Sequence, residues 1–448
     1  MLSRRTFLAM AGGAAATSAG VGAAVWAALV RDHVDAALAG ASGSVASELP
    51  AASGTTGSSG ASGASTAGHV LLVLQLGGGN DGLNTLVPAV GRYRDARPKI
   101  AIPEAQLVSI DTPGYGLHPA LFPLRGRWNA GQIAAFEGIG LRAQTRSHFK
   151  AMDTWWAGTD GATSATGWLG RWLDATEGAT PNPLRSISLG TGAPALIGER
   201  SLPTVVLSPA QFALRLPRTT DAKAVTAAFL ATAAPASAAP WQSAAQSAIP
   251  SALDAIAVLD RVRLQAAATA DDPSASGPTG ATGSGAVVRA AADSATSLLQ
   301  TAAGIIELGI GTRVILVGIS GFDTHSDELD RHQDLLADVA QAITAFFDRL
   351  QARGKADNVL LVTTSEFGRR VSENASGGTD HGNGGVQFIV GSAVKGRQVV
   401  GEPALDRLVD GDVPIGIDTR SLYALGLDWL GGPTDELLGA RFDRYGLL

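Results

Sequence analysis

Three short apolar runs constrain the fold of this chain more than any other feature. Residues 70–76 read V-L-L-V-L-Q-L, residues 314–319 read V-I-L-V-G-I, and residues 359–364 read V-L-L-V-T-T. Each is too short for a typical helix and is apolar at successive positions, so both of its faces must be covered. That is the pattern of strands inside a parallel sheet with helices on either side. The runs also end abruptly in residues that carry chemistry. The second is followed by Gly321-Phe322-Asp323-Thr324-His325-Ser326, and the third by Ser365-Glu366-Phe367-Gly368-Arg369. A glycine-rich stretch, Gly378-Thr379-Asp380-His381-Gly382, comes soon after. Strands hold their backbone rigid while the loops at their C-terminal ends aim side chains into one crevice. Carboxylates and imidazoles gathered in this way bind divalent cations. Asp323, His325, Glu366, Asp380 and His381 are therefore metal-ligand candidates on one edge of one sheet.

The rest of the chain supports an α/β fold with a mostly parallel central sheet and helices on both faces. Further strands are expected at 133–137, 186–189, 204–207 and 386–390. Helices are expected at 147–156, with Ser147 as N-cap, and at 221–234, 251–268, 290–308 and 421–430. An amphipathic helix over 332–353 carries Leu335, Leu336, Val339, Ile343, Phe346, Phe347 and Leu350 on one side. There is no internal repeat.

With 448 residues the chain has ample material for a large core. It contains no cysteine, which excludes disulfides, thiolate metal sites and cysteine nucleophiles. A formal charge of -6 argues against a nucleic-acid partner, which would call for a basic stripe. Ser3-Arg4-Arg5-Thr6-Phe7-Leu8 fits the twin-arginine export pattern, and the small-residue stretch after it leads to a cleavage sequence, Ala37-Leu38-Ala39. A leader is thus expected at 1–39, with the twin-arginine translocase as its partner and a periplasmic, cell-surface or extracellular destination. On that reading the mature chain has no stable membrane span; the alternative is an anchor over 21–30 with Arg31 as its stop. Residues 40–68 are almost wholly Gly, Ala, Ser and Thr and read as a linker. The folded domain is expected over 69–448, with a disordered insertion at 266–286.

Several of these motifs together resemble a known family. They are L-Q-L-G-G-G-N-D-G-L-N-T-L-V-P from Leu74, R-S-H-F from Arg146 running to W-W-A-G, and G-W-L-G-R, with G-F-D-T-H, S-E-F-G-R and G-T-D-H-G. The resemblance is to the bacterial domain-of-unknown-function family 1501, which is grouped with the alkaline phosphatase and sulfatase superfamily. It implies an alkaline phosphatase/sulfatase-like α/β domain with a metal centre at the C-terminal strand ends. The superfamily's first metal-binding Asp falls on Asp81, its Asp/His pair on Asp323 and His325, and its last lone His on His381. Its Asp-His dipeptide falls on Glu366-Phe367, so Phe367 stands where a His ligand would be. One ion, or an oxygen-rich second site, is then expected. Calcium, magnesium or manganese would suit the oxygen ligands, and the histidines keep zinc in play. The superfamily's nucleophile sits at a helix N-terminus, which here implies Ser147, with Thr145 as alternative, and Arg146 as an anion contact. The activity implied is metal-dependent hydrolysis of small anionic phosphate or sulfate esters. The alternative is a secreted, metal-stabilised binding protein without turnover.

Structural readings stand beside the chemical ones. Ser147 can be an N-cap only, and Asp323-Thr324-His325 a capping turn. Glu366 can pair with Arg369 or Arg370, and Asp380-His381 can form an Asx turn. Asn80 and His148 are substrate-contact candidates, but Asn80 can also merely hold a left-handed turn. His118 reads as structural and His332 as a second-layer or surface residue. Gly77–Gly79 carry no lysine and no nucleotide fingerprint.

Overall fold

The computed structural model describes residues 68–212 apart from 144, 163 and 179–181, residues 224 and 227, 251–265, and 294–448. The expected leader, all but the last linker residue, all but two residues of the 221–234 helix, and the insertion at 266–286 lie outside this set. The chain divides into two compact units, residues 50–211 with 265–448 and residues 1–49 with 212–264. The described part of the smaller unit is chiefly a helix from 251, in which Arg263 pairs with Asp260 and donates to the Phe212 carbonyl.

The larger unit is built on nine strands. They are β1 (Val70–Gly77), β2 (Ile133–Gly140), β3 (Ser186–Leu189), β4 (Thr204–Val206), β5 (Val314–Ser320), β6 (Val359–Thr364), β7 (Gly385–Val390), β8 (Gln398–Gly401) and β9 (Ile417–Asp418). Their order is β8-β2-β7-β6-β1-β5-β3-β4, with β9 also paired to β2. Every pairing is parallel except those of β7, which runs against both neighbours. β7 is reversed because no crossover helix separates it from β6. The intervening chain stays at the C-terminal edge of the sheet as a hairpin, Arg369–Glu373 against Thr379–His381, and then runs back down. The sequence reading had placed Asp380 and His381 in a loop, whereas they end a strand of this hairpin.

One face of β1, β5 and β6 packs Leu71, Val73, Leu316 and Val362 against α1 (His148–Ala157), α2 (Trp168–Ala175) and α5 (Arg420–Leu430). Trp168 and Tyr423 stack at 4.3 Å in that layer. By strand alternation Leu72, Leu74, Ile315 and Val317 face the other side and are equally buried. That side is covered by a helix pair, α3 (Ala295–Leu308) and α4 (Glu328–Ala352), joined by Arg349 to Glu307 at 2.7 Å. α4 starts four residues before the expected position, after Asp327 in a left-handed turn.

This architecture brings three loops side by side. Gly77 of β1 is level with Ser320 of β5, and Gln75 with Thr364 of β6. The loops then pack backbone to backbone. At Gly78, with φ 123°, a Cβ would lie 2.3 Å from the amide nitrogen of Asp323. Ser365 ties the β6 loop to the β1 loop, accepting from the Asn80 amide and donating to the Leu76 carbonyl, both at 2.8 Å.

Candidate metal centre

Three imidazoles and one carboxylate meet where these loops, the hairpin and the N-terminus of α1 come together. Asp323 and His325 come from the β5 loop, His381 from the hairpin, and His148 is the first residue of α1. Each ring is fixed through the same nitrogen. His148 Nδ1 lies 2.8 Å from Glu366 Oε1, His381 Nδ1 lies 2.9 Å from the Arg146 carbonyl, and His325 Nδ1 lies 3.4 Å from Asp380 Oδ1. An oxygen at each Nδ1 suits the tautomer with the proton on that atom, which leaves Nε2 as the ligating nitrogen. The three Nε2 atoms all turn to Asp323. Those of His325 and His381 lie 3.1 Å from its Oδ1 and 2.9 Å from each other. The Nε2 of His148 lies 3.6 Å from its Oδ2.

Imidazole nitrogens and a carboxylate gathered at this range are groups that could hold a divalent cation. Metal–nitrogen bonds of about 2.0–2.1 Å set the ligand atoms of one ion roughly 3–3.4 Å apart, and the distances here bracket that spacing. His148, Asp323 and His381 each offer an atom such that all three lie within 4.8 Å of one another. A ligating histidine usually gives its other N–H to a carboxylate or a backbone carbonyl, which is the pattern found at all three rings. His148, Asp323 and His381 fit a divalent ion, with two nitrogens and one or two oxygens, and the Nε2 of His325 adjoins them at His381 and Asp323.

Arg369 backs the cluster. Its side chain is fully buried and donates to the carbonyls of Gly78, Gly79, Phe322 and Thr379, and to Asp323 Oδ1 at 2.7 Å. Partial burial pushes the Asp323 carboxyl up. The hydrogen bond and the charge of Arg369 outweigh this and hold it below its usual range. The Asp323 side chain is still 44% exposed, so the centre opens to solvent.

Residues 122–440 match the family described as a protein of unknown function, DUF1501. The chain belongs to this family. No curated protein sequence matches it. Among solved structures it is similar to the lipoteichoic acid synthase LtaP from Listeria monocytogenes, at 12% identity over 82% of this chain and 76% of that one, with a TM-score of 0.33. It is similar to the C-terminal periplasmic domain of EcEptC from Escherichia coli in complex with Zn, at 9% identity over 80% and 82%, with a TM-score of 0.35. The PsFucS1 sulfatase from Pseudoalteromonas sp. matches at 13% identity over 84% and 70%, with a TM-score of 0.32.

In this DUF1501 protein the other expected site residues are placed as follows. Glu366 and Asp380 stand behind the rings of His148 and His325, and Glu366 also accepts from the Gly78 amide at 2.8 Å. Of the two arginines expected as its partners, Arg369 is turned to Asp323 and Arg370 to Asp412. Asp81 does not reach the cluster. It is buried in a two-pronged pair with Arg97, at 2.5 and 3.0 Å. Burial alone would push its carboxyl up; the charge of Arg97 and hydrogen bonds from Glu328 and Arg97 hold it well below the usual range. Burial and the nearby Asp81 charge push Glu328 up to about 9. Asn80 is also buried, bonded to Thr85 at 3.0 Å and to His332 Nε2 at 2.9 Å, so it turns away from any substrate. His332 sits inside the fold, where burial lowers it to about 3. His118 caps a short 3-10 turn by accepting from the Ala120 amide. Phe367 is buried against His148 and His381, with ring centres 4.9 and 4.5 Å away.

Around the α1 N-terminus, Thr145 Oγ1 accepts from the Ser147 amide at 3.3 Å. Ser147 occupies the N-cap position, yet its side chain makes no capping bond. Arg146 pairs with the buried Asp412. Sequence reasoning had assigned His148 to substrate and had not placed Arg97 or Arg369 in these roles. The available signal was scarcity, since only seven histidines occur in 448 residues and His148 heads a helix beside a serine and an arginine.

Proposed function

We propose that this protein is an exported, metal-dependent hydrolase of phosphate or sulfate esters, working at a single-ion centre formed by His148, His325, His381 and Asp323. The observation that carries this reading is the set of three imidazoles held at Nδ1 by Glu366, Asp380 and the Arg146 carbonyl, with every Nε2 turned to one carboxylate. Three nitrogens with one carboxylate favour zinc over calcium, magnesium or manganese, which prefer all-oxygen shells. A divalent ion bound there supplies a Lewis acid for an ester oxygen and lowers the pKa of a nearby hydroxyl or water.

The chain's own residues provide the rest. Ser147 holds its hydroxyl at the N-terminus of a ten-residue helix without spending it on the cap. Free backbone N–H groups and the helix dipole at that end favour an anion. Ser147 is therefore the preferred nucleophile, and Thr145, whose oxygen already accepts the Ser147 amide, is the weaker choice. Arg369 offsets the charge of Asp323 from beneath.

A binding protein without turnover is the second reading. It is favoured by the commitment of Asp81 to Arg97 and by Phe367 against two of the rings, which leave few groups for a second ion. Export rests on the paired arginines near the N-terminus, and no helix among the described residues is long and apolar enough to cross a membrane. Elemental analysis of protein purified without chelator, followed by turnover of 4-nitrophenyl phosphate and sulfate, tests the proposal. Stoichiometric metal with chelator-sensitive turnover supports the hydrolase. Metal without turnover supports the binding protein, and absence of metal overturns both.

A further inference from the structure

Two half-exposed arginines converge on one buried carboxylate beside the imidazole cluster. Asp412 closes a tight turn in which Asp410 and Gly411 have φ of 54° and 83° and the backbones of Val409 and Asp412 bond reciprocally at 3.0 and 2.9 Å. Its side chain has no exposure, while those of Arg146 and Arg370 are 40% and 36% exposed. One Asp412 oxygen accepts from Arg146. The other lies 3.7 Å from Arg370 Nε and has no hydrogen bond among the described residues.

Two buried arginines show what a purely structural arginine looks like here. Arg97 and Arg369 are fully enclosed and spend their donors on carbonyls, an amide oxygen and carboxylates. Among the described residues Arg146 spends one donor and Arg370 makes one ion-pair contact, a long one, so two guanidinium forks remain open over this buried carboxylate. Open forks of this kind match the paired oxygens of a carboxylate, sulfate or phosphate.

Their position separates them from the metal centre. The Arg146 carbonyl holds Nδ1 of His381, the edge of the ring remote from the shared Nε2 cluster. Arg370 lies near Asp380, which holds Nδ1 of His325. The Asp380 carboxyl sits below its usual range mainly through the hydrogen bond from Asn374, with the Arg370 charge contributing. The Arg146 backbone thus meets His381, and Arg370 lies near Asp380, at the Nδ1 side of the two rings.

We propose that Arg146 and Arg370, held by Asp412, form a subsite for a second oxyanion of the substrate. The esters taken would then carry a further carboxylate, sulfate or phosphate beyond the scissile group. This rests on the hydrolase reading, which places the scissile anion at the imidazoles. Calorimetric binding of phenylphosphonate and 4-carboxyphenylphosphonate to the metal-loaded protein tests it. The carboxylated compound should bind roughly tenfold more tightly, and Arg370→Gln should bring the ratio of the two dissociation constants near one while bound metal stays at the wild-type level. A wild-type ratio near one, with phenylphosphonate bound, overturns the subsite and leaves the metal centre standing. If neither compound binds, the anion site at the imidazoles fails together with the subsite. Because the wild-type ratio is itself decisive, the test does not depend on the variant folding.

Discussion

Replacing Arg97 by methionine should cost more stability than any other single change near the site. The guanidinium is completely buried and its donors are all placed. Nε donates to the Val371 carbonyl at 2.8 Å, Nη2 to the Arg370 carbonyl at 2.9 Å and to Asp81 at 3.0 Å, and Nη1 to Asp81 and Asn84 at 2.5 and 2.8 Å. Methionine fills much of the volume but leaves the Asp81 carboxylate without its counter-charge inside the protein. Removing one partner of a buried ion pair costs about 3–5 kcal/mol, and each orphaned backbone carbonyl adds roughly 1 kcal/mol where water cannot reach it. A loss of about 5–7 kcal/mol is expected at pH 7, read from urea unfolding by tryptophan fluorescence. The pH dependence gives a second check. The folded-state pKa of Asp81 lies below its unfolded value, so its contribution is present above about pH 4 and is lost as the pH falls. The gap between wild type and Arg97→Met should therefore be widest near neutrality and narrow below about pH 4. Adding Asp81→Leu to Arg97→Met should recover at least half of the loss, since an apolar pair can replace a buried ionic one. A loss under about 1 kcal/mol at pH 7, or no recovery in the double variant, would refute this account of the network.

Four further outcomes are expected. His332, lowered by burial to about 3, contributes stability above its unfolded pKa that is lost as the pH falls from about 6.5 toward 3, and His332→Gln should flatten that part of the acid limb in a melting series. Chelation should lower the melting temperature of the wild type, by the equivalent of about 2.7 kcal/mol if the metal had been at a hundredfold excess over its dissociation constant; Asp323→Ala should abolish that sensitivity, and an unchanged wild-type melt would remove the metal centre. Ser147→Ala should reduce ester turnover about a hundredfold or more with metal content retained, whereas Thr145→Ala should act more weakly; equal effects would shift the nucleophile elsewhere. Arg4→Lys with Arg5→Lys should keep the protein inside the cell on fractionation, and normal secretion of that variant would end the twin-arginine reading.

The parallel core was legible because its signal is local. Residues 70–76, 314–319 and 359–364 are apolar on both faces and stop at glycine or polar residues, and the three strands form at those places as neighbours. The hairpin was not legible. Arg369-Arg370-Val371-Ser372-Glu373 looks like a polar loop, and it becomes a strand only because Arg369 finds buried carbonyls from three other segments. The fate of Asp81 was hidden for a similar reason. Its partner Arg97 lies sixteen residues on, in a stretch with no regular pattern. His148 reaches the cluster from a helix far away in sequence, and periodicity says nothing about which strand end a helix start will meet. Spacing showed which residues carry chemistry; tertiary pairing decided which of them face each other.

The hairpin also bears on time. Asp323 and His325 follow a strand in the middle of the sheet, but His381 belongs to a two-stranded ribbon outside it. Small ribbons open more often than the sheets they rest on. This one is pinned at its ends by Arg97, by Arg369, and by Thr379 to Glu328 at 2.6 Å. An ion held by His381 could leave readily only when those pins release together. The rate of metal exchange would then report the opening of the hairpin, and slow exchange would mean a cofactor acquired once, during folding, and kept for the life of the protein.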